Sequence, residues 1–174
     1  MIEVFRQPPC VIVNGFRIVT APPVGELVAA IGTQTRVEAG PAPAGFRNPQ
    51  RHVFDALGVS VLEHHYTRRA TAISMVHFAD EPRSVDTPAS TFAGELWLDG
   101  VEMPRGATEK EFLAASPWPF ERVIGGIWRL EFGGFSVIAN MVGPRLRSGR
   151  RSARRVVGVV EISWPHDPWE SPAH

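Results

Sequence analysis

Hydrophobic and polar positions near the start of the chain follow the pattern of a β-hairpin. Two strand-like runs, Val11–Val13 and Phe16–Val19, are separated by the dipeptide Asn14-Gly15. A type I′ turn needs a positive φ at both of its central residues, and asparagine followed by glycine meets that need well. The pattern therefore predicts a hairpin with a two-residue turn over residues 11–19.

The pattern then changes to helical spacing. The residues at i, i+3, i+4 and i+7 form one apolar stripe and are Val24, Leu27, Val28 and Ile31. A Pro-Pro pair precedes the stripe and Gly32 follows it, which are favoured arrangements at the first and last positions of a helix. A short helix is predicted at about residues 22–31.

A similar pattern of a hairpin followed by a helix occurs 85 residues later. In the segment LWLDGVEMPRGATEKEF, residues 96–112, the dipeptide Asp99-Gly100 stands where Asn14-Gly15 stood. Thr108 and Glu111 have the spacing of a capping box, in which each side chain accepts a hydrogen bond from the other residue's backbone N–H. We predict a second short helix at about residues 108–116.

Two later pairs of segments extend the similarity. Residues 57–65 align with residues 133–141 at a spacing of 76, and residues 68–78 align with residues 154–164 at a spacing of 86. We therefore predict an internal duplication of a ββαβββ unit. The predicted fold class is α+β with mostly antiparallel sheets. Pairing two such units would bury the apolar face that each exposes alone, which gives the duplication a stabilising role.

The repeat also predicts the domain organisation. A single domain over residues 1–174 would contain two halves at 1–78 and 94–164, a connector at 79–93 and a tail at 165–174. The halves differ in length at two places, a Pro/Gly-rich loop at 37–50 and an arginine-rich segment at 143–153. These insertions are where we expect function to lie.

Composition indicates a soluble globular protein. The chain has 44% hydrophobic residues, and 18 basic residues balance 18 acidic ones. Global charge therefore gives no reason to expect a nucleic-acid or membrane partner. No apolar run approaches the roughly 20 residues of a spanning helix, and the N-terminus lacks the pattern of a signal peptide. The single Cys10 is compatible with a reducing cytoplasm, where we expect the protein to act.

One segment departs from this neutral balance. Residues 145–155, RLRSGRRSARR, are named the arginine arm after their six arginines: Arg145, Arg147, Arg150, Arg151, Arg154 and Arg155. Mutual repulsion predicts a solvated loop or hairpin. The arm has no aromatic residues to stack on bases and no amphipathic element to rest on lipid. A solvated arm without a partner and an arm that contacts an acidic protein both remain open.

No complete catalytic or metal-binding motif is present. His64 and His65 are neighbours, so on a strand their side chains would point to opposite faces. His52 and His77 add no spaced ligand set. We expect no metal, no cofactor and no catalytic residue. Weaker candidates for contact with a partner are His64, His65, Tyr66, Arg68 and Arg69.

Three segments resemble a family of small bacterial proteins of unknown function. They are FDALGV at 54–59, AISMVHF at 72–78 and FAGELWLDG at 92–100. Such proteins look like immunity proteins, which bind and block a cognate toxin in interbacterial competition. The resemblance implies a non-enzymatic toxin inhibitor that protects against a secretion-system effector. It covers about residues 50–105, carries over no catalytic residue and does not include the arginine arm.

Two other functions remain open. The chain could be a nucleic-acid-associated protein that uses the arm at 145–155, although its neutral charge argues against this. It could also be a small enzyme with an unrecognised site, in which case a deep pocket should gather His64 or His65 with acidic residues.

Overall fold

Two β-sheets and two short helices make up the regular structure. The computed structural model describes residues 1–34, 36–39, 49–64, 67–78, 88–144 and 150–164. The first elements in chain order are β1 (Ile2–Arg6), β2 (Pro9–Val13), β3 (Phe16–Ile18), α1 (Val24–Ile31), β4 (Arg36–Ala39), β5 (Gln50–Phe54), β6 (Val59–Glu63) and β7 (Ala70–Val76). The remaining elements are β8 (Leu96–Leu98), β9 (Val101–Glu102), α2 (Glu109–Ala115), β10 (Glu121–Ile124), β11 (Ile127–Phe132), β12 (Phe135–Val142) and β13 (Val156–Ser163).

The predicted α+β class and both predicted helices are confirmed. α1 and α2 begin within two residues of the predicted starts and end at or one residue before the predicted ends. The capping box of α2 is formed, because the Glu111 N–H donates to Thr108 Oγ1 at 3.3 Å and the Thr108 N–H donates to the Glu111 carboxylate at 2.9 Å. These hydrogen bonds, first from the Thr108 hydroxyl, hold the pKa of Glu111 below its usual range.

Both predicted hairpin turns are also formed. β2 pairs with β3 across Asn14-Gly15, and β8 pairs with β9 across Asp99-Gly100. Asn14 and Asp99 have φ values of 48° and 45°. This left-handed conformation is tolerated by asparagine and aspartate better than by other side chains, which explains why the turns could be recognised in the sequence.

The predicted ββαβββ unit is one strand short. Four strands follow each helix, and the additional ones are β4 and β10. Both are four-residue strands at sheet edges, and their RVEA and ERVI sequences carry charged residues that mask the alternation expected of a half-buried strand. β1 (Ile2–Arg6) is a further strand that is not predicted from the sequence.

The strand orders of the two sheets are symmetric about their centres. The eight-stranded sheet is antiparallel throughout and runs β10-β11-β12-β13-β7-β6-β5-β4, so β7 and β13 join its two sides. The five-stranded sheet runs β3-β2-β1-β8-β9 and places one predicted hairpin on each side of β1. β1 is antiparallel to β2 and parallel to β8. This order is the one that two equivalent halves would produce, while the duplication of the sequence itself stays a prediction.

One hydrophobic core is shared by both sheets and both helices. Its largest fully buried side chains include Phe54, Phe112, Phe135 and Trp164, which come from three strands or strand ends and from α2. α1 contributes Leu27 and Ile31 to the same cluster. At about 25 cal/mol per Å² of apolar surface removed from water, this shared burial is the main stabilising contribution.

The two turns fix both ends of β1. The Met1 ammonium group donates to Asn14 Oδ1 at 2.8 Å, and the Arg6 N–H donates to Asp99 Oδ1 at 3.0 Å. The second oxygen of Asp99 accepts a hydrogen bond from the indole N–H of buried Trp118 at 2.6 Å. One aspartate therefore connects β1, a hairpin turn and the segment after α2.

We predict that Asp99→Ala lowers the free energy of unfolding by about 1–3 kcal/mol, because the buried Trp118 N–H loses its acceptor. Asp99→Asn is the matched control, since asparagine keeps a side-chain oxygen and tolerates positive φ. Urea unfolding followed by tryptophan fluorescence should show a smaller loss for the control. Equal losses in the two variants would contradict the role assigned to this oxygen.

Candidate functional site

The described part of the arginine arm lies where β13 begins. Arg150, Arg151 and Arg154 are exposed, whereas Arg155 is partly buried. Arg145 and Arg147 lie outside the described residues. The segment is tied to the end of β12 by two hydrogen bonds, from Ser152 N–H to Pro144 O at 2.7 Å and from Arg151 Nη1 to Gly143 O at 3.2 Å.

The base of the arm is attached to α2 through the backbone. The Glu109 N–H donates to Arg155 O at 3.0 Å, and the Val157 N–H donates to Ala107 O at 3.0 Å. Thr108 and Val156 form an isolated antiparallel bridge between these two contacts. The last arginines of the arm are thus held beside the first turn of a helix, and their position is set by main-chain bonds.

A groove of about 540 Å³ opens between α2, β11 and the base of the arm. We call it the arginine groove, and its lining residues are Thr108, Glu109, Lys110, Leu113, Trp128, Arg154 and Arg155. Apolar surface from Leu113 and Trp128 therefore lies beside three cationic side chains.

Glu109 orients the Trp128 ring at this groove. The Trp128 indole N–H donates to Glu109 Oε1 at 2.7 Å, and Arg155 Nη1 lies 4.0 Å from the same oxygen. The carboxylate is thus already engaged by two neighbours. Lys110 and Arg154 form no salt bridge within the described residues, so their positive charges are available to a ligand or partner.

The turn between β10 and β11 extends this surface. Gly125 O accepts hydrogen bonds from Arg122 Nη2 at 2.8 Å and from Arg155 Nη1 at 2.8 Å. Next to it, Val123 and Ile124 are 51% and 68% exposed. We call residues 122–125 the hairpin tip. Two exposed apolar side chains thus lie next to the guanidinium group of Arg122, and Arg155 contacts the same segment from the arm, in the arrangement of an apolar patch with a charged rim.

The weaker candidates lie in the other half of the chain. Arg68 is mostly exposed and its Nε lies 3.4 Å from Glu63 Oε1, and Arg69 donates to Ala21 O ahead of α1. His64 is buried and its Nδ1 accepts a hydrogen bond from the Thr67 N–H at 3.3 Å. His65 and Tyr66 lie outside the described residues. The described members of this set thus make internal contacts at the end of β6.

A buried carboxylate was not anticipated from the sequence. Glu63 is 2% exposed, and its Oε2 lies 2.9 Å from His52 Nε2. The other ring nitrogen of His52 lies 2.9 Å from Gln34 Oε1. These contacts join β5, β6 and the segment after α1, so they stabilise the sheet end against the helix.

His77 follows β7 and carries the other unusual histidine environment. Its Nε2 is buried and has no hydrogen-bond partner among the residues that the structure describes. The ring packs against Phe92 with a centroid separation of 5.6 Å. Burial, with a further contribution from the positive charge of Arg105, lowers the pKa of His77 from 6.5 to about 4.

Within the described ranges, no three His, Cys, Asp or Glu side chains are grouped closely enough to hold a metal ion. The same residues include no helix that is long and apolar enough to cross a membrane. Asp80, Glu81 and Asp86 of the connector lie outside these ranges.

Comparison with known proteins gives no relative from which to transfer a function. No protein-family model matches the chain, and no curated protein or solved structure shows significant similarity to it. The interpretation therefore depends on the groove itself.

The sequence indicated only part of this surface. The arginines were conspicuous by their density, but Lys110, Leu113 and Trp128 come from α2 and β11 and meet the arm only in the folded chain. Val123 and Ile124 could have drawn attention, since they are adjacent apolar residues next to Gly125-Gly126.

We predict that the protein loses stability as the pH falls from 6.5 to 4. In this window the unfolded chain binds a proton at His77 that the folded chain does not bind. At about 1.4 kcal/mol per pKa unit, the loss approaches roughly 3 kcal/mol at pH 4.

His77→Phe should remove this part of the pH dependence and leave the part that carboxylates contribute. Denaturant unfolding at pH 4.5, 5.5, 6.5 and 7.5 would measure it for both proteins. If the free energy of unfolding changes with pH by the same amount in wild type and variant, His77 titrates normally in the folded state and the prediction is wrong.

Proposed function

We propose that this chain is a non-enzymatic binding protein that inhibits an acidic protein partner, with the arginine groove and the hairpin tip as its contact surface. The observation that carries the proposal is the apolar surface of Trp128 and Leu113 beside Lys110 and Arg154, two cations that form no salt bridge with any residue that the structure describes. A partner that presents an apolar side chain within an acidic surface would complement both properties.

The surface suits a protein better than a nucleic acid. The cations are few, they surround a single indole, and the chain as a whole is neutral. A nucleic-acid groove usually offers a longer basic track with several aromatic side chains for stacking. The hairpin tip adds exposed aliphatic side chains, which a phosphate backbone would leave in contact with water.

The resemblance of residues 54–59, 72–78 and 92–100 to immunity-like proteins suggests which partner to expect. Under this proposal the partner is a bacterial toxin with an acidic cleft, and binding takes place in the cytoplasm of the cell that is protected. The matching residues lie on β-strands and turns, so the resemblance concerns the scaffold alone. The acidic character proposed for the partner is inferred from the charges and apolar surface of the arginine groove.

The first experiment uses the product of the gene next to the one that encodes this chain. We predict that this neighbouring protein arrests growth when expressed alone and that coexpression of the chain restores growth. Purified chain should bind the neighbour in calorimetry with an affinity that falls as salt rises. Absence of both protection and binding would contradict the proposal.

Charge-removing variants locate the contact surface. Lys110→Ser combined with Arg154→Ser should weaken binding of this partner by about tenfold or more and reduce its salt dependence, because two charges that face the partner are lost. Arg6→Ser combined with Arg17→Ser removes the same charge from two exposed positions on the other half of the chain and is the matched control. Equal effects of the two double variants would exclude the groove as the binding site.

Retention on nucleic acid tests the alternative function. The wild-type protein should elute from immobilised duplex DNA and from single-stranded RNA at low salt, because few phosphates could be neutralised at once. Retention to several hundred millimolar salt, lost on Arg154→Ser, would favour the nucleic-acid function over protein binding.

A further inference from the structure

The two helix-containing halves can be superposed in sequence by the spacing of 85 residues that relates their turns and helices. Asn14 then corresponds to Asp99, and the last residue of α1, Ile31, corresponds to Ser116. Two residues farther along, Trp118 corresponds to Thr33. At this position the first half has a threonine and the second half a tryptophan. The difference lies outside the turn and helix motifs by which the halves are aligned.

In the second half, the Trp118 ring fills space between the turn and the eight-stranded sheet. The side chain is buried, its N–H donates to Asp99, and its ring centroid lies 5.3 Å from that of Phe132. Phe132 in turn stacks on Phe135 with a centroid separation of 5.6 Å. Three aromatic rings therefore close this end of the core.

In the first half, the residue that corresponds to Trp118 is the exposed Thr33, and the aromatic ring in this region is instead that of Phe92. An apolar cavity of about 170 Å³ lies there, beside the turn residue Asn14. The described residues that line it are Met1, Ile2, Val13, Asn14, Ile31, Leu57, Val59, Ile73, Phe92 and Gly94. It comes near the surface at Leu57 and Met1, which are partly exposed.

We propose that this cavity is a binding site for a small uncharged aromatic molecule, between benzene and indole in size. The cavity is similar in volume to closed apolar cavities of roughly 150 Å³ that bind benzene, but it opens to solvent at Met1 and Leu57. Its described lining contains no Asp, Glu, Lys, Arg or His side chain, and its charged group, the Met1 ammonium, already donates to Asn14 Oδ1. A charged ligand would lose its hydration there without gaining a partner.

The Asn14 side chain at the cavity already forms hydrogen bonds within the protein through both its oxygen and its nitrogen. The Asn14 amide donates to Ala30 O at 3.0 Å and its oxygen accepts from the Met1 ammonium group. A ligand would therefore bind through the Phe92 ring and aliphatic side chains. An aromatic ring suits such a site because the equivalent region of the second half is filled by an indole.

The test uses free indole and benzene as probes, with the binding followed by ¹H–¹⁵N correlation spectra of the whole protein. We expect saturable shifts confined to the amides of residues 13–14, 31–32, 57–59 and 92–94, and a higher melting temperature in the presence of indole. Absence of saturable shifts with both probes would overturn the proposal.

The decisive variant is one in which a larger side chain fills the cavity. Ile31→Phe should occupy the space and lower indole affinity by about tenfold or more, and Leu57→Trp at the mouth is a second way to close it if the first variant fails to fold. Ile124→Phe, on the hairpin tip, adds the same ring far from the cavity and should leave indole binding unchanged. Indole binding that is equal in wild type, Ile31→Phe and Leu57→Trp would place the probe elsewhere.

This site is independent of the proposed inhibitor surface. Lys110→Ser with Arg154→Ser should bind indole as the wild type does, so failure of one proposal leaves the other to be judged by its own result.

Discussion

The antiparallel pairing of β7 with β13 is the constraint on which the rest of the structure depends. Five residue pairs, from Val159↔Val76 to Ser163↔Ala72, join two four-stranded sheets into one of eight. Both strands are central and β7 is buried along its whole length, so this seam removes two edges that would otherwise be exposed to water and to other chains. The apolar faces of both sides then form a single core with the smaller sheet.

The seam also determines where the arginine groove can form. β13 begins beside α2 because its partner strand fixes its register, and the residues just before it are the last arginines of the arm. The groove is therefore built from an insertion at its base and from scaffold residues on two other elements. Such an arrangement keeps an exposed, charged surface on a rigid support, which would reduce the conformational entropy lost on binding of the proposed partner.

Local sequence signals predicted those elements whose chemistry is local. The Asn14-Gly15 and Asp99-Gly100 turns need positive φ, and the α2 capping box needs two residues at a fixed spacing, so short windows were sufficient. The strands β4 and β10 were missed because they are short edge strands that owe their conformation to pairing with β5 and β11. Local propensity does not contain that information.

The candidate site could likewise be predicted only where its residues are close together in the sequence. The arginine density was visible in the sequence, but the meeting of Trp128 with Glu109 joins residues 19 positions apart on a strand and a helix. The His52–Glu63 contact and the burial of His77 depend in the same way on neighbouring strands and loops. Sequence reasoning found no spaced ligand set that includes His52 and His77 and could not assign their partners, since those are fixed only by the register of the sheet.

The single copy of β1 has a consequence for how the chain is made. β1 forms a hairpin with β2, its neighbour in sequence, and its other edge pairs with β8 from the second half, where Ile2 lies opposite Leu96. During synthesis the first strand can meet its nearby partner at once, while its other edge stays open until the second half has left the ribosome. The small sheet is thus completed by a contact between two segments that lie far apart in sequence, and this contact links the two halves of the chain.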